Sequence, residues 1–199
     1  AAEWAAASAF SNAGQRCAAG SRMIVMAGAY EAFREKFVAR AKAMKQGVGE
    51  GCDFGPVINE RQLANMLGAV ERAAKSGAAV LTGGKRADAP ELRSGFYMTP
   101  TIIENAPADS EISCTELFGP IANLYRVSSF AEGLAMANAS PYGLTACIHT
   151  KSFDRATEFA RRASAGVVVV NAGTFGSEPH MPFGGVRAIA QEIRNNVRR

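Results

Sequence analysis

The chain has 199 residues, 48% of them hydrophobic and 20% charged, which is enough apolar material for the core of one domain and excludes wholesale disorder. Its 22 basic and 18 acidic residues leave a net charge of +4. Apart from three arginines within Arg194–Arg199 the excess is scattered, so no patch of the kind that tracks nucleic acid is expected. The apolar runs are too short, and too often broken by charge, for a signal peptide or a membrane span.

Taken in order, the chain opens without methionine in an alanine-rich run. Ala2 to Asn12 reads as a helix with Trp4, Ala7 and Phe10 recurring at helical spacing, and Gly14 stops it. Because Ala1 falls inside this helix, the sequence is expected to be the edge of a longer protein. Arg22 to Met26 suits a buried strand. A helix follows with Tyr30, Phe33, Phe37, Ala41 and Met44 on one face, most simply as core packing. Gly47 to Ile58 is a loop. Asn59 and Gln62 form a capping-box-like start to a helix that turns Leu63, Met66, Leu67 and Val70 inward and ends at Gly77. Ala79 to Thr82 is a short strand, and Gly83 to Pro90 a polar turn region.

Phe96 to Ile103 reads as extended, with Pro100 pointing to an edge or a bend rather than a central strand. Ile121 to Val127 is a strand that leads through Ser129 and Glu132, a second capping box, into a helix ending near Asn138. Leu144 to Thr150 is a strand. Phe153, Ala156, Phe159, Ala160 and Ala163 define an amphipathic helix, closed by Gly166 before the apolar strand Val167 to Val170. Strands alternating with helices need crossover connections, so the expected fold is α/β: a three-layer domain with a largely parallel sheet covered by helices on both faces.

Cys17, Cys52, Cys114 and Cys147 lie more than thirty residues apart in sequence, with only His149 and His180 to join them. No disulfide framework or metal site is expected, and a reducing, cytoplasmic setting fits best. Among the four, Cys17 stands out in Gly14-Gln15-Arg16-Cys17-Ala18-Ala19-Gly20. The thiolate is the attacking species, and a neighbouring cation and close backbone N–H groups favour it. Flanking glycines let the backbone approach a substrate, so those N–H groups can also face a developing oxyanion. The alternative for these seven residues is a structural cysteine in a tight turn.

Three further stretches follow at characteristic intervals: Glu116-Leu117-Phe118-Gly119-Pro120, Tyr142-Gly143-Leu144 preceded by Asn138, and Pro182-Phe183-Gly184-Gly185. Together with Gly14 to Cys17 they resemble the aldehyde dehydrogenase superfamily, over residues 1–187 and in its catalytic domain alone. The likeness implies NAD(P)-dependent oxidation of a small-molecule aldehyde to a carboxylic acid, with Cys17 as the nucleophile that carries a thiohemiacetal and then a thioester. It implies that Glu116 contacts the ribose of NAD or NADP and that Phe118 lies near the nicotinamide. A carboxylate can accept from both ribose hydroxyls, which fits that role. Thr115 replaces a second acid usual in the family. Asn171 matches the residue that precedes the substrate-facing loop, so Ala172 to Met181 is expected at the substrate entrance, with Asn171 and Phe175 as substrate-binding residues and Glu178 and His180 as further candidates. Arg16 either joins a surface ion pair or biases the pocket toward anionic substrates. His149 and Cys147 read as structural.

In the family, the general base and most of the coenzyme site lie upstream of the nucleophile. The isolated chain is therefore expected to be almost inactive as a dehydrogenase. The pattern ends near Arg187, and residues 188–199 read as a divergent tail. Uncovered apolar surface and sheet edges make a homo-oligomer possible, whereas no membrane partner is expected. Two other readings remain: a non-catalytic interaction or folding module derived from that domain, and a stand-alone thioester hydrolase using Cys17.

Overall fold

The computed structural model describes residues 1–176 and 180–189. The expectations placed on Glu178 and on the tail from Ala190 onward lie outside the described residues. A four-stranded sheet runs in the order β1 (Arg22–Met26), β4 (Ile121–Val127), β3 (Thr101–Glu104), β2 (Ala79–Thr82). β1, β4 and β3 are parallel, and β2 pairs antiparallel to β3. The largely parallel α/β architecture is thus the one the alternating sequence pattern implies.

Successive side chains of a strand face opposite ways, and this splits the core in two. Ile102, Ala122 and Leu124 pack with Phe10 of α1 (Ala2–Phe10) and with Tyr30 and Phe37 of α2 (Ala27–Ala43). Ile103 and Ile121 pack on the other face with Leu63, Met66 and Val70 of α3 (Glu60–Lys75) and with Ile112 of the one-turn helix α4 (Glu111–Cys114). The stripe on α2 is core, as its spacing requires, and Phe10 and Phe37 stack at 5.7 Å between ring centroids.

Four expectations change. β3 is central and buried rather than an edge. Pro100 precedes its first ladder residue, so the missing N–H removes no bond, and Thr101 N–H donates to the Pro120 carbonyl at 2.9 Å. β1, expected to be buried, is the outer strand and only half covered. Trp4 does not join the core face of α1: it is 44% exposed and meets the ring of Phe175 at 6.2 Å. Phe153 is 82% exposed at the first position of α6 (Phe153–Arg162), where Phe159 alone is buried.

A second parallel pair, β5 (Thr145–Ile148) and β6 (Val167–Val170), is linked through α6 and forms its own sheet. Between the open edges of β1 and β5 lies a cavity of about 820 Å³, lined along the length of both strands. α5 (Phe130–Asn138) packs over β1 and β4. Its start is a capping box moved by one residue: Glu132 N–H donates to Ser129 Oγ, while the Glu132 carboxylate accepts from Ser128. No helix among the described residues is long and apolar enough to cross a membrane.

Candidate active site

After α1 the chain turns through Asn12, Ala13 and Gly14, all left-handed with φ of 54°, 54° and 66°. Such a run is costly for residues that carry a Cβ, so surrounding contacts must hold it. Asn12 Nδ2 donates to the Gln15 carbonyl at 3.0 Å, and Gln15 N–H donates back to the Asn12 carbonyl at 3.0 Å. The Gln15 side chain then clamps the loop before α3: its Nε2 donates to the Pro56 carbonyl at 3.1 Å, and its Oε1 accepts from Ile58 N–H at 2.8 Å. The outcome is an exposed Cys17 on a turn fixed from both sides, rather than a buried structural cysteine.

The same turn is locked to the distant Glu-Leu-Phe-Gly-Pro stretch. A Cβ on Gly14 would lie 2.1 Å from the Gly119 carbonyl oxygen, so the two backbones touch where a side chain has no room. Helix α3 supports the second stretch from below. Asn59 caps it by accepting from Gln62 N–H at 2.9 Å, but the Gln62 side chain, instead of completing a capping box, donates to the Leu117 carbonyl at 2.6 Å. Phe118 has φ 52° and is 41% exposed. Cys17, Glu116 and Phe118 therefore line one cavity, Glu116 and its neighbour Thr115 both exposed.

The loop after β6 meets this turn as well. Thr174 Oγ1 donates to the Ala18 carbonyl at 2.6 Å, and Thr174 N–H donates to Ser8 Oγ at 3.2 Å, while Ser8 O accepts from Gly20 N–H at 2.9 Å. These bonds place Phe175 beside Arg16, whose guanidinium carbon is 5.7 Å from the ring centroid. Asn171, left-handed at φ 58°, makes a reciprocal pair with the Thr150 backbone at 2.9 Å in each direction. It shapes the start of the loop and, like Phe175, is not among the residues that line the cavity. His180 is exposed.

Cys147 also lines the cavity, held differently. Its thiol donates to the Ala172 carbonyl at 2.9 Å and lies 3.5 Å from His149 Nε2. Burial pushes the Cys147 thiol up and the His149 imidazole down, so both favour their neutral forms. Among the described residues, no three His, Cys, Asp or Glu side chains gather as a metal site.

The remaining two stretches serve packing. Gly143 O accepts from the N–H groups of Gly166 and Val186, both at 3.0 Å. A Cβ on Gly166 would meet Gly184 O at 1.8 Å, so the Pro-Phe-Gly-Gly segment folds against Tyr142-Gly143-Leu144 through bare backbone. Asn138 donates to the Arg162 carbonyl and accepts from Ser164 N–H, closing the end of α6. Thr174 and Ser8 were not singled out in the sequence, and Gln62 was read there only as part of a helix cap. Of the three, Gln62 alone carried a local signal, as the third residue after the capping Asn59.

A profile described as the aldehyde dehydrogenase family matches residues 1–197, reaching into the segment that reads as divergent. The chain is 36% identical to alpha-ketoglutaric semialdehyde dehydrogenase of Bacillus subtilis over 98% of its own length and 40% of that protein's. It is 35% identical to the NADP(+) succinate-semialdehyde dehydrogenase of Escherichia coli, over 94% of this chain and 38% of that one. It superposes on betaine aldehyde dehydrogenase of Staphylococcus aureus, solved with NAD+, with TM-score 0.90 and 29% identity, over 94% of this chain and 37% of that structure. The chain thus spans about 40% of the length of the curated relatives it matches. Motif order, the convergence of distant turns on one cavity and these matches together establish that the chain belongs to the aldehyde dehydrogenase family.

Proposed function

We propose that residues 1–187 are the nucleophile-bearing catalytic unit of an NAD(P)-dependent aldehyde dehydrogenase, with Cys17 as the attacking group. The observation that carries this is the backbone contact of Gly14 with Gly119, which puts an exposed thiol, a carboxylate and an exposed phenyl ring on one cavity. Addition of the Cys17 thiolate to the aldehyde carbonyl forms a C–S bond and an oxyanion, the ionised thiohemiacetal, whose C=O re-forms as hydride leaves. Loss of hydride from that carbon leaves a thioester, and water cleaves it to the acid and the free thiol. The backbone N–H of Cys17 itself is the donor proposed for the oxyanion, worth about 3 kcal/mol when well placed, since those of Gln15, Ala19 and Gly20 already donate within the fold.

Glu116 and Phe118 suit a nicotinamide nucleotide. The carboxylate can accept from ribose hydroxyls, and an outward-facing aromatic side chain offers a flat apolar contact for a planar ring. When bound, the dinucleotide supplies the hydride acceptor. The relatives' names include both NAD(+) and NADP(+) enzymes, and both acid-bearing semialdehydes and aromatic aldehydes. The four free thiols suit a reducing, cytoplasmic setting. These 199 residues span about 40% of the length of the relatives, so on their own they are expected to turn over poorly, since groups that act as a unit lose orders of magnitude when separated.

Limited labelling with N-ethylmaleimide, mapped by peptide mass spectrometry, tests the reading. Cys17 is expected to react well ahead of Cys52, which is also exposed. Equal rates at the two would remove the case for an activated nucleophile.

A further inference from the structure

We infer that Arg16, held on the face of Phe175, is a receptor for a carboxylate at the far end of the substrate, so that the aldehyde is one that also carries an acid group. This rests on the reading of Cys17 as the nucleophile and adds the substrate class to it.

Arg16 immediately precedes Cys17, is exposed and lines the same cavity. The ion pairs among the described residues all use other cations, including Arg34, Arg40, Arg72, Arg126, Arg155 and Arg162. Arg16 instead lies over an aromatic ring, its guanidinium carbon 5.7 Å from the centroid, and Trp4 meets that ring in a tilted contact at 6.2 Å. A guanidinium over a ring keeps its in-plane N–H fork open, which is the geometry that grips a carboxylate with two parallel bonds. The ring belongs to the loop that Thr174 ties to Ala18. One hydrogen bond therefore fixes the platform relative to the thiol, and the distance from anion receptor to nucleophile is set by the fold rather than by a free side chain. Among the described residues no carboxylate pairs with Arg16, so packing against these residues does not account for a cation next to the thiol.

The test compares two maleimides of similar size on the whole chain: neutral N-ethylmaleimide and the anionic 3-maleimidopropionate. Rates are read at Cys17 and, as an internal reference, at Cys52. The anionic reagent is expected to gain about fivefold over the neutral one at Cys17 relative to Cys52, the size of one screened charge pair. Arg16→Gln should bring that ratio to about one, whatever it does to the N-ethylmaleimide rate itself, because the ratio of the two reagents cancels any change in thiolate fraction. Arg16→Lys should keep part of the preference, because it retains charge without the planar fork. An unchanged ratio in both variants overturns the inference. Loss of Cys17 selectivity toward N-ethylmaleimide in the wild-type chain would instead sink the nucleophile reading beneath it, so the two failures are distinct.

Discussion

Replacing Gly14 by alanine strikes the contact that brings the two halves of the site together. An alanine at φ 66° costs about 1–2 kcal/mol for the left-handed backbone. Its Cβ would also sit 2.1 Å from Gly119 O and 2.9 Å from Ala9 O, both rigid backbone atoms. Relieving such an overlap in a packed region costs about 1–3 kcal/mol, offset by about 0.4–1 kcal/mol from the stiffer unfolded chain. The net loss is therefore about 1–4.5 kcal/mol, a large share of the stability of a domain this size. Gly119→Ala makes a useful contrast. Its Cβ would meet the Sδ and Cε of Met66 at 2.4 and 2.5 Å, the far end of a flexible side chain, so it should lose about 1–2 kcal/mol. Urea unfolding followed by circular dichroism measures both. In Gly14→Ala the turn must also move off Gly119, so the Cys17 to Cys52 labelling ratio should fall toward one. A loss below about 0.5 kcal/mol with an unchanged labelling ratio would mean that the two turns are not in contact.

Thr174→Val removes the bond to Ala18 O and should cost about 1 kcal/mol. It should also weaken the Cys17 preference for the anionic maleimide by freeing the Phe175 platform, and retention of the full preference would contradict the platform's role. Asp53 accepts from Lys45 N–H at 2.7 Å and from Arg40 at 3.0 Å, which holds its carboxyl below the ordinary value of 3.8. A depressed carboxyl contributes stability above that value and loses it as the pH falls through its folded pKa. Asp53→Ala should then cost about 1 kcal/mol at pH 7, the exposed ion pair being discounted for solvent screening, and progressively less below about pH 4, and a pH-independent cost would contradict the pairing. For Cys147, burial favours the thiol, so maleimide labelling at neutral pH should trail both Cys17 and Cys52 and rise only above the ordinary thiol range. Labelling of Cys147 level with Cys52 at neutral pH would contradict that burial.

Periodicity made most elements legible. The strand Arg22–Met26, the stripe through Tyr30 and Phe37, the Asn59 cap and the strand Val167–Val170 all lie where local pattern put them. Long-range pairing was not legible. Pro100 argues against a central strand only if it sits inside the ladder, and one residue of offset decided the outcome. Trp4 and Phe153 have helical spacing, but nothing local tells which end of a stripe the neighbouring elements cover. Within the site, the residue identities at Cys17, Glu116 and Phe118 could be read from short motifs. Their convergence could not, because it depends on two glycines 105 positions apart meeting backbone to backbone. Thr174 and Ser8 were invisible for the same reason: a hydroxyl bonded across the fold leaves no trace in its own neighbourhood.

The central claim is that Cys17 Sγ adds to an aldehyde carbonyl. Carbon NMR with an aldehyde isotopically labelled at the carbonyl carbon observes that bond directly, without need of turnover. The account predicts a thiohemiacetal resonance in the wild-type chain and in Cys52→Ser, and its loss in Cys17→Ser. A resonance that survives in Cys17→Ser, or one that disappears in Cys52→Ser, would contradict it.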